Sequence, residues 1–338
     1  MQATTIGLDI AKSVFQVHGV DARGRVVLRK RLARAKVLEL FANLPRCVVG
    51  LEACGGAHHW ARELIRLGHD ARLMPPQYVK AYVKTNKHDA ADAEACCEAV
   101  QRPSMRFVPV KTEAQQATLM LHRVRDQLIG QRTASINAVR GHLAELGIVA
   151  AQRQAGLRQL LEVLGEVEDE RIPPLARELL QLLVAQIREL EAKVAGLDRR
   201  LVAMTRTDET CKSLVAVPGI GPVIATAFAA TVPDARVFHS GRHLAAWLGL
   251  VQRQHATAGK ERRLGISKRG DGYLRRQLIH GARALVRVSR GRTGKLWSWI
   301  GGLLARRPFN VVVAAVANKL ARILWAMLSR GEAYRAAA

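Results

Sequence analysis

The 338-residue chain lacks the marks of several large protein classes. No apolar stretch approaches the roughly 20 uncharged residues needed to span a bilayer. The opening Met1-Gln2-Ala3-Thr4-Thr5 has neither the basic region nor the long apolar segment of a secretory signal. The five cysteines (Cys47, Cys54, Cys96, Cys97 and Cys211) are odd in number and show no CxxC spacing. That pattern argues against a zinc site or a disulfide framework, and for small apolar side chains in a reducing cytoplasm. Acidic residues are scarce: 28 Asp and Glu stand against 53 Lys and Arg, a formal net charge of +25. An excess of this size calls for a polyanionic partner. With no membrane segment, nucleic acid fits better than a lipid surface.

What is present is enough for two or three domains, with 49% apolar residues to build their cores. Charge is uneven: from Thr207 onward 22 Lys and Arg accompany 6 Asp and Glu, so the principal polyanion surface is expected in the C-terminal third. Residues 4–20 alternate apolar and polar as strand does, and Asp21-Ala22-Arg23-Gly24 reads as a turn into a strand over 25–28. A short helix over 38–44, a buried strand over 47–51, a helix over 57–67, a strand over 71–74 and a helix over 77–100 follow. Strands alternating with helices after an opening hairpin predict an α/β domain with a mixed sheet over 1–110.

Residues 111–206 read as helical. Leu180, Ile187, Val194 and Leu201 mark one heptad seam, and Leu183, Leu190, Leu197 and Met204 the other. The partner of that seam is either the helix over 112–146 or a second chain. A mainly α domain is expected over 207–338, where Val217-Pro218-Gly219-Ile220-Gly221-Pro222 resembles a helix-hairpin-helix turn. Gly219 and Gly221 would bring backbone N–H groups close to a phosphate. Trp247, Trp297, Trp299 and Trp325 have helical apolar neighbours and are expected in the core.

Against this cationic background four acids stand out. Asp9 lies in a strand interior, which seldom buries an unpaired charge, and the hairpin after it would present it at a sheet edge. Glu52 ends the apolar run 47–52, and Asp89 and Asp92, three apart, share a helix face. Three elements can deliver four carboxylates to one point, where Mg²⁺ would relieve their repulsion and polarise a phosphate.

Gly7-Leu8-Asp9-Ile10-Ala11-Lys12, Gly50-Leu51-Glu52-Ala53 and Asn86-Lys87-His88-Asp89-Ala90-Ala91-Asp92-Ala93 resemble the signature of one family. It comprises insertion-sequence transposases with a resolvase-like DEDD domain, whose studied members are recombinases guided by a bridge RNA. Val217–Gly221, Ala246-Trp247-Leu248-Gly249-Leu250 and Gly265-Ile266-Ser267-Lys268-Arg269-Gly270-Asp271 continue the resemblance in order. It implies a ribonuclease-H-like N-terminal domain, a coiled-coil middle and a C-terminal transposase domain. It implies further a composite site in which Asp9, Glu52, Asp89 and Asp92 bind Mg²⁺ and a C-terminal serine attacks DNA to form a covalent intermediate. The stretch corresponding to that serine, Gly249 to Lys260, contains none. Family members carry Ser-Ser-Gly or Ser-Thr-Gly where this chain has Ala256-Thr257-Ala258, so Thr257 becomes the nucleophile candidate, its extra methyl crowding in-line attack. Ser267 is expected to cap a helix or touch nucleic acid.

Arg253, Lys260, Arg262, Arg263, Lys268, Arg269, Arg275 and Arg276 would form a basic track beside that loop, neutralising phosphates without reading bases. The expected partners are DNA (element ends and target), a non-coding guide RNA and further copies of the chain, as dimer or tetramer. Two alternatives stay open: a metal-dependent junction nuclease in which water attacks, and a nucleic-acid-binding copy impaired in catalysis.

Overall fold

The computed structural model describes residues 2–84, 89–166, 169–257 and 260–335, with the side chains of residue 154 and residues 255–263 outside that description. The chain divides into two compact units, Met1–Ala114 and Gln115–Ala338. The helical middle and the C-terminal region, expected as separate domains, share one unit.

Unit 1 opens with β1 (Thr5–Ile10), β2 (Val14–Val20) and β3 (Val26–Ala33), joined as antiparallel neighbours. The Asp21 carboxylate accepts from the N–H groups of Arg23 and Arg25, which fixes the β2–β3 turn. Then come α1 (Val37–Ala42), β4 (Val48–Glu52), α2 (Ala57–Arg66) and β5 (Asp70–Met74). The sheet order is β3-β2-β1-β4-β5, and β4 pairs parallel with both β1 and β5. The expected mixed sheet is therefore present. Asp9, however, is not at a sheet edge: β4 closes the other side of β1, which makes it the central strand.

The helix expected over 77–100 is two pieces, α3 (Pro76–Val79) and α4 (Asp89–Val100). One face of the sheet packs Ile6, Leu8, Phe15, Val17, Val49 and Leu51 against Val37, Phe41, Trp60 and Leu64. The other face receives α4, and there Gly7 and Gly50 are decisive. A Cβ on Gly7 would fall 2.0 Å from the Ala93 carbonyl oxygen and 2.4 Å from the Cys97 nitrogen. One on Gly50 would meet the Val100 Cβ at 2.7 Å and the Cys96 carbonyl oxygen at 2.8 Å. The helix backbone thus lies directly on the sheet.

Unit 2 contains α5 (Glu113–Glu145), α6 (Arg153–Gly165) and α7 (Pro174–Thr207). Helices α5 and α7 run antiparallel: Arg125 pairs with Asp198, Arg132 with Glu191, and the Ser135 hydroxyl donates to Gln186. The seam Leu180, Ile187, Val194 and Leu201 is buried within the chain, and Val139 and Leu143 of α5 join Leu180, Val184 and Ile187 in one cluster. Next come α8 (Glu209–Val215), α9 (Pro222–Thr231), α10 (Gly241–Trp247), the hairpin β6 (Gln252–Thr257) and β7 (Lys260–Ile266), α11 (Gly272–Arg287), α12 (Lys295–Leu304) and α13 (Phe309–Arg330). By length and composition α13 could cross a membrane. Here Val312, Val313, Val316, Ala317, Leu320 and Leu324 place it inside the core of unit 2, with Lys319 and Arg322 in mid-helix. Of the tryptophans, Trp325 packs partly buried against the core and donates to the Ala235 and Phe238 carbonyls, whereas Trp247 is exposed.

A buried polar chain rivets α5 to the rest of unit 2. His122 is 1% exposed; its Nε2 lies 3.0 Å from the Thr226 hydroxyl and its Nδ1 2.9 Å from the Tyr273 hydroxyl. Thr226 donates to the Pro222 carbonyl, so it accepts from Nε2–H, and Tyr273 donates to Nδ1. Both ring nitrogens are used by the neutral form. Burial, assisted by Arg125, lowers the His122 pKa to about 4.

Two predictions follow from this packing. Gly7→Ala should cost about 3 kcal/mol or more, since backbone rather than a flexible side chain blocks the methyl; unchanged hydrogen-exchange protection of α4 would count against the packing argument. Because the native pKa of His122 lies below its unfolded value, its contribution is complete above about pH 6.5 and is lost as pH falls towards 4. Exchange protection of α5 and α9 should fall across that window, and His122→Gln should flatten the dependence.

Candidate functional site

In parallel register Gly7 lies beside Gly50 and Leu8 beside Leu51, so Asp9 and Glu52 occupy equivalent positions at the same ends of neighbouring strands. Strand alternation puts them on the face of the two glycines, the face that α4 covers. Asp89 and Asp92 form the first turn of α4. With the helix seated on Gly7 and Gly50, that turn is carried to the strand ends that bear Asp9 and Glu52. All four predicted carboxylates are thereby brought into one field; residues 86–88 of the motif lie outside the described residues.

The field is visible in Asp9, whose pKa is raised to about 6 by burial first, then by the charges of Asp92, Asp89 and Glu52. The Ile10 backbone N–H acts the other way. The Cys96 thiol beneath the site is pushed up by burial and by Glu52, Asp9 and Asp92. Partial burial and the charges of Glu52 and Asp9 also raise the exposed Cys54 thiol. Among the described residues, no three His, Cys, Asp or Glu side chains stand close enough to hold an ion as they lie. The acids share a field without forming a closed cage. An all-carboxylate set of hard oxygen donors with a strong mutual repulsion fits a divalent cation such as Mg²⁺ or Mn²⁺.

Sequence reasoning passed over Gly7 and Gly50, yet the signal was there: both strands read Gly-Leu-acid, so the glycine that admits the helix sits two residues before each carboxylate. It also passed over Arg34, whose guanidinium covers the Trp60 ring at 5.0 Å.

In unit 2 the stretch expected as a loop around Thr257 is a β-hairpin. Thr257 pairs in register with Lys260, His255 with Arg262 and Gln254 with Arg263. Residue 257 thus stands at the hairpin tip, while the side chains of Thr257, Lys260, Arg262 and Arg263 lie outside the described residues. Arg253 is exposed at an irregularity in the β6 register.

Two members of the expected basic track make contacts within the protein. Arg275 donates to the Leu248 and Arg269 carbonyls at 3.0 and 2.6 Å, fastening the hairpin base. Arg276 pairs with Asp126 at 2.6 Å and lies over the Tyr273 ring. Among the described side chains of the track, Arg253, Lys268 and Arg269 are exposed. Ser267 caps no helix: Asp271 accepts from the Leu274 N–H at the start of α11, and the buried Ser267 hydroxyl has no partner among the described residues. Gly219 faces inward. Its φ of +84° favours glycine, and a Cβ there would meet the Gly281 carbonyl oxygen at 3.1 Å, so the turn packs closely on α11. Gly221, at the start of α9, has open space around its Cβ position and keeps the possibility of close approach by a phosphate.

Two family models match the chain. Residues 6–148 match a DEDD transposase model of the IS110 type, and residues 211–297 match the model described as Transposase IS116/IS110/IS902 family. A probable family 20 transposase of Pseudomonas aeruginosa is 54% identical over 336 residues, covering 99% of each chain. The transposase for insertion sequence element IS1111A of Coxiella burnetii is 41% identical over 333 residues, covering 98% of this chain and 92% of that one. The transposase for insertion sequence element IS1328 of Yersinia enterocolitica is 40% identical over 331 residues and 98% of both. With relatives at 40–54% identity along nearly its whole length, the chain belongs to the IS110/IS116 family of transposases, enzymes that cleave and join DNA.

Proposed function

We propose that the chain is a Mg²⁺-dependent DNA recombinase that excises and inserts its own element, with unit 1 a ribonuclease-H-like domain. The sheet order β3-β2-β1-β4-β5 with an acid on its central strand supports that reading of the fold. The single observation that carries the chemistry is Asp9: the groups acting on it most strongly, after burial, are three further carboxylates. Such a set destabilises the unliganded domain at neutral pH, so it is retained for something it binds.

Asp9, Glu52, Asp89 and Asp92 would hold the cation, which when bound supplies charge neutralisation at the phosphate and activates the attacking group. The chain's own part is to desolvate Asp9 and to fix Glu52 beside it through the β1–β4 register. The Thr257 hydroxyl would form the Oγ–P bond as a backbone P–O bond of the DNA breaks, leaving DNA esterified to the protein. Strand exchange then returns the phosphate to a DNA hydroxyl. Base pairing with a bound RNA would choose the sites, and more than one copy of the chain would hold the two DNAs; both inferences rest on the family. The absence of serine between Gly249 and Lys260 favours a second reading, in which water attacks and no adduct forms.

Asp9→Asn should abolish cleavage yet leave polyanion binding intact, because binding depends on the basic surface. The same change should stabilise the metal-free protein at pH 7.5. A raised native pKa means that ionisation opposes folding, so wild-type stability falls between about pH 4 and pH 6. For a group that keeps part of its solvent the effect is about 1–2 kcal/mol. Urea unfolding with and without Mg²⁺ reads both effects: the ion should stabilise the parent and not the variant. For the nucleophile, mass spectrometry of protein incubated with Mg²⁺, element-end DNA and RNA should find DNA on residue 257. Thr257→Ser should raise strand exchange at least tenfold; cleavage without any adduct in either form would establish the water mechanism.

A further inference from the structure

The carboxylates do not end the row in which they stand. In the register of the sheet Asp9 pairs with Gln16 on β2, and Gln16 pairs with Arg31 on β3. Residues paired across a sheet share a face, so Glu52, Asp9, Gln16 and Arg31 form one line across four strands on the α4 side. The neighbouring row, Gly50, Gly7, His18 and Arg29, lies under α4: the glycines and His18 are buried, and Glu94 of α4 reaches Arg29 at 3.9 Å. The Asp9 row is not covered in this way. Asp9 and Gln16 are half-buried and Arg31 is exposed.

Neither Gln16 nor Arg31 has a side-chain hydrogen bond or ion pair among the described residues, although most arginines near them are engaged. Arg25 pairs with Asp21, Arg29 with Glu94, and Arg34 stacks on Trp60. Arg31 stands two strand spacings from Asp9, about 10 Å. That is too far to neutralise the acids, in keeping with its absence from the groups that act most strongly on Asp9. A phosphodiester chain supplies what Gln16 and Arg31 lack, anionic oxygens to accept their hydrogen bonds. An amide with two N–H donors and a guanidinium are both suited to phosphate oxygens.

We propose that the row Asp9–Gln16–Arg31 is the path of the cleaved DNA strand. It places the reacting phosphate at the carboxylates and a neighbouring phosphate of the same strand on the Gln16 amide and the Arg31 guanidinium. The strand crosses the sheet perpendicular to β1, β2 and β3, and Gln16 and Arg31 fix its register against the acids without reading bases. This rests on the reading of the acids as the site of DNA cleavage.

Lys30 provides an internal control. It has the same charge, it is exposed, and it neighbours Arg31 in sequence, but it pairs with Val17 and so belongs to the opposite face. Binding of an element-end DNA oligonucleotide to the full chain is measured without divalent ions, so that cleavage does not intervene. Arg31→Ala should lower affinity about tenfold and reduce the slope of log affinity against log salt by about 1, while Lys30→Ala changes neither. A series of oligonucleotides, each carrying one uncharged methylphosphonate, should weaken wild-type binding at particular positions. Arg31→Ala should be insensitive at one of these, and Gln16→Ala should reduce sensitivity at the same one. Equal behaviour of Arg31→Ala and Lys30→Ala would overturn the proposal, as would an effect of Arg31→Ala confined to RNA. If Asp9→Asn cleaves DNA normally, the cleavage site has been misassigned; the binding comparison still decides whether Arg31 meets a DNA phosphate.

Discussion

The distance between α4 and the sheet is the constraint on which unit 1 depends. At Gly7 and Gly50 there is no room for even a methyl group. A helix that close cannot be rotated or withdrawn by a side chain, so the position of its first turn is fixed by backbone contact rather than by rotamers. Asp89 and Asp92 are delivered to Asp9 and Glu52 by that contact. The arrangement works against its own electrostatics, because apolar packing and backbone fit over the length of α4 hold together charges that repel at one end. The repulsion that remains at that end is what a bound cation would relieve.

The two units answer to pH in opposite senses over one interval. Ionisation of Asp9 opposes folding of unit 1 as pH rises towards 6, whereas protonation of His122 opposes folding of unit 2 as pH falls towards 4. Bulk unfolding would blend these into a shallow curve. They differ in kind as well. His122 is a satisfied group with every hydrogen bond assigned, a structural rivet. Asp9 is a partly buried acid beside three other carboxylates, and that difference is what separates a site from a core.

Much of unit 1 was legible because its pattern is local. Alternation gave the strands, turn chemistry at Asp21–Gly24 gave the second hairpin, and the acids declared themselves by sitting where apolar residues belong. What escaped was relational. Whether Asp9 is central or at an edge depends on β4 pairing beside β1, some forty residues later. The worth of Gly7 depends on which helix arrives above it. In unit 2 the heptad announced a seam but not its partner, since the same leucines serve within a chain or between chains. The hairpin around residue 257 was missed because Gln252–Ile266 is so polar that it lacks the apolar alternation by which strands are read.

Net charge, finally, overstates the surface offered to nucleic acid. Arg275 is spent on carbonyls at the base of the β6–β7 hairpin, Arg276 and Arg125 on aspartates, and Arg34 on an indole. Arginine is well suited to these tasks, with several donors on a weakly hydrated plane, so an arginine-rich chain uses part of its charge as structural cross-links. The cations free for phosphate are found by subtraction, and they need not lie where the charge is densest. Arg31 belongs to the less basic unit and was no part of the track read from sequence, yet it lies in line with the acids and has no ion-pair partner among the described residues. In a protein so cationic, position relative to the carboxylates says more about function than abundance does.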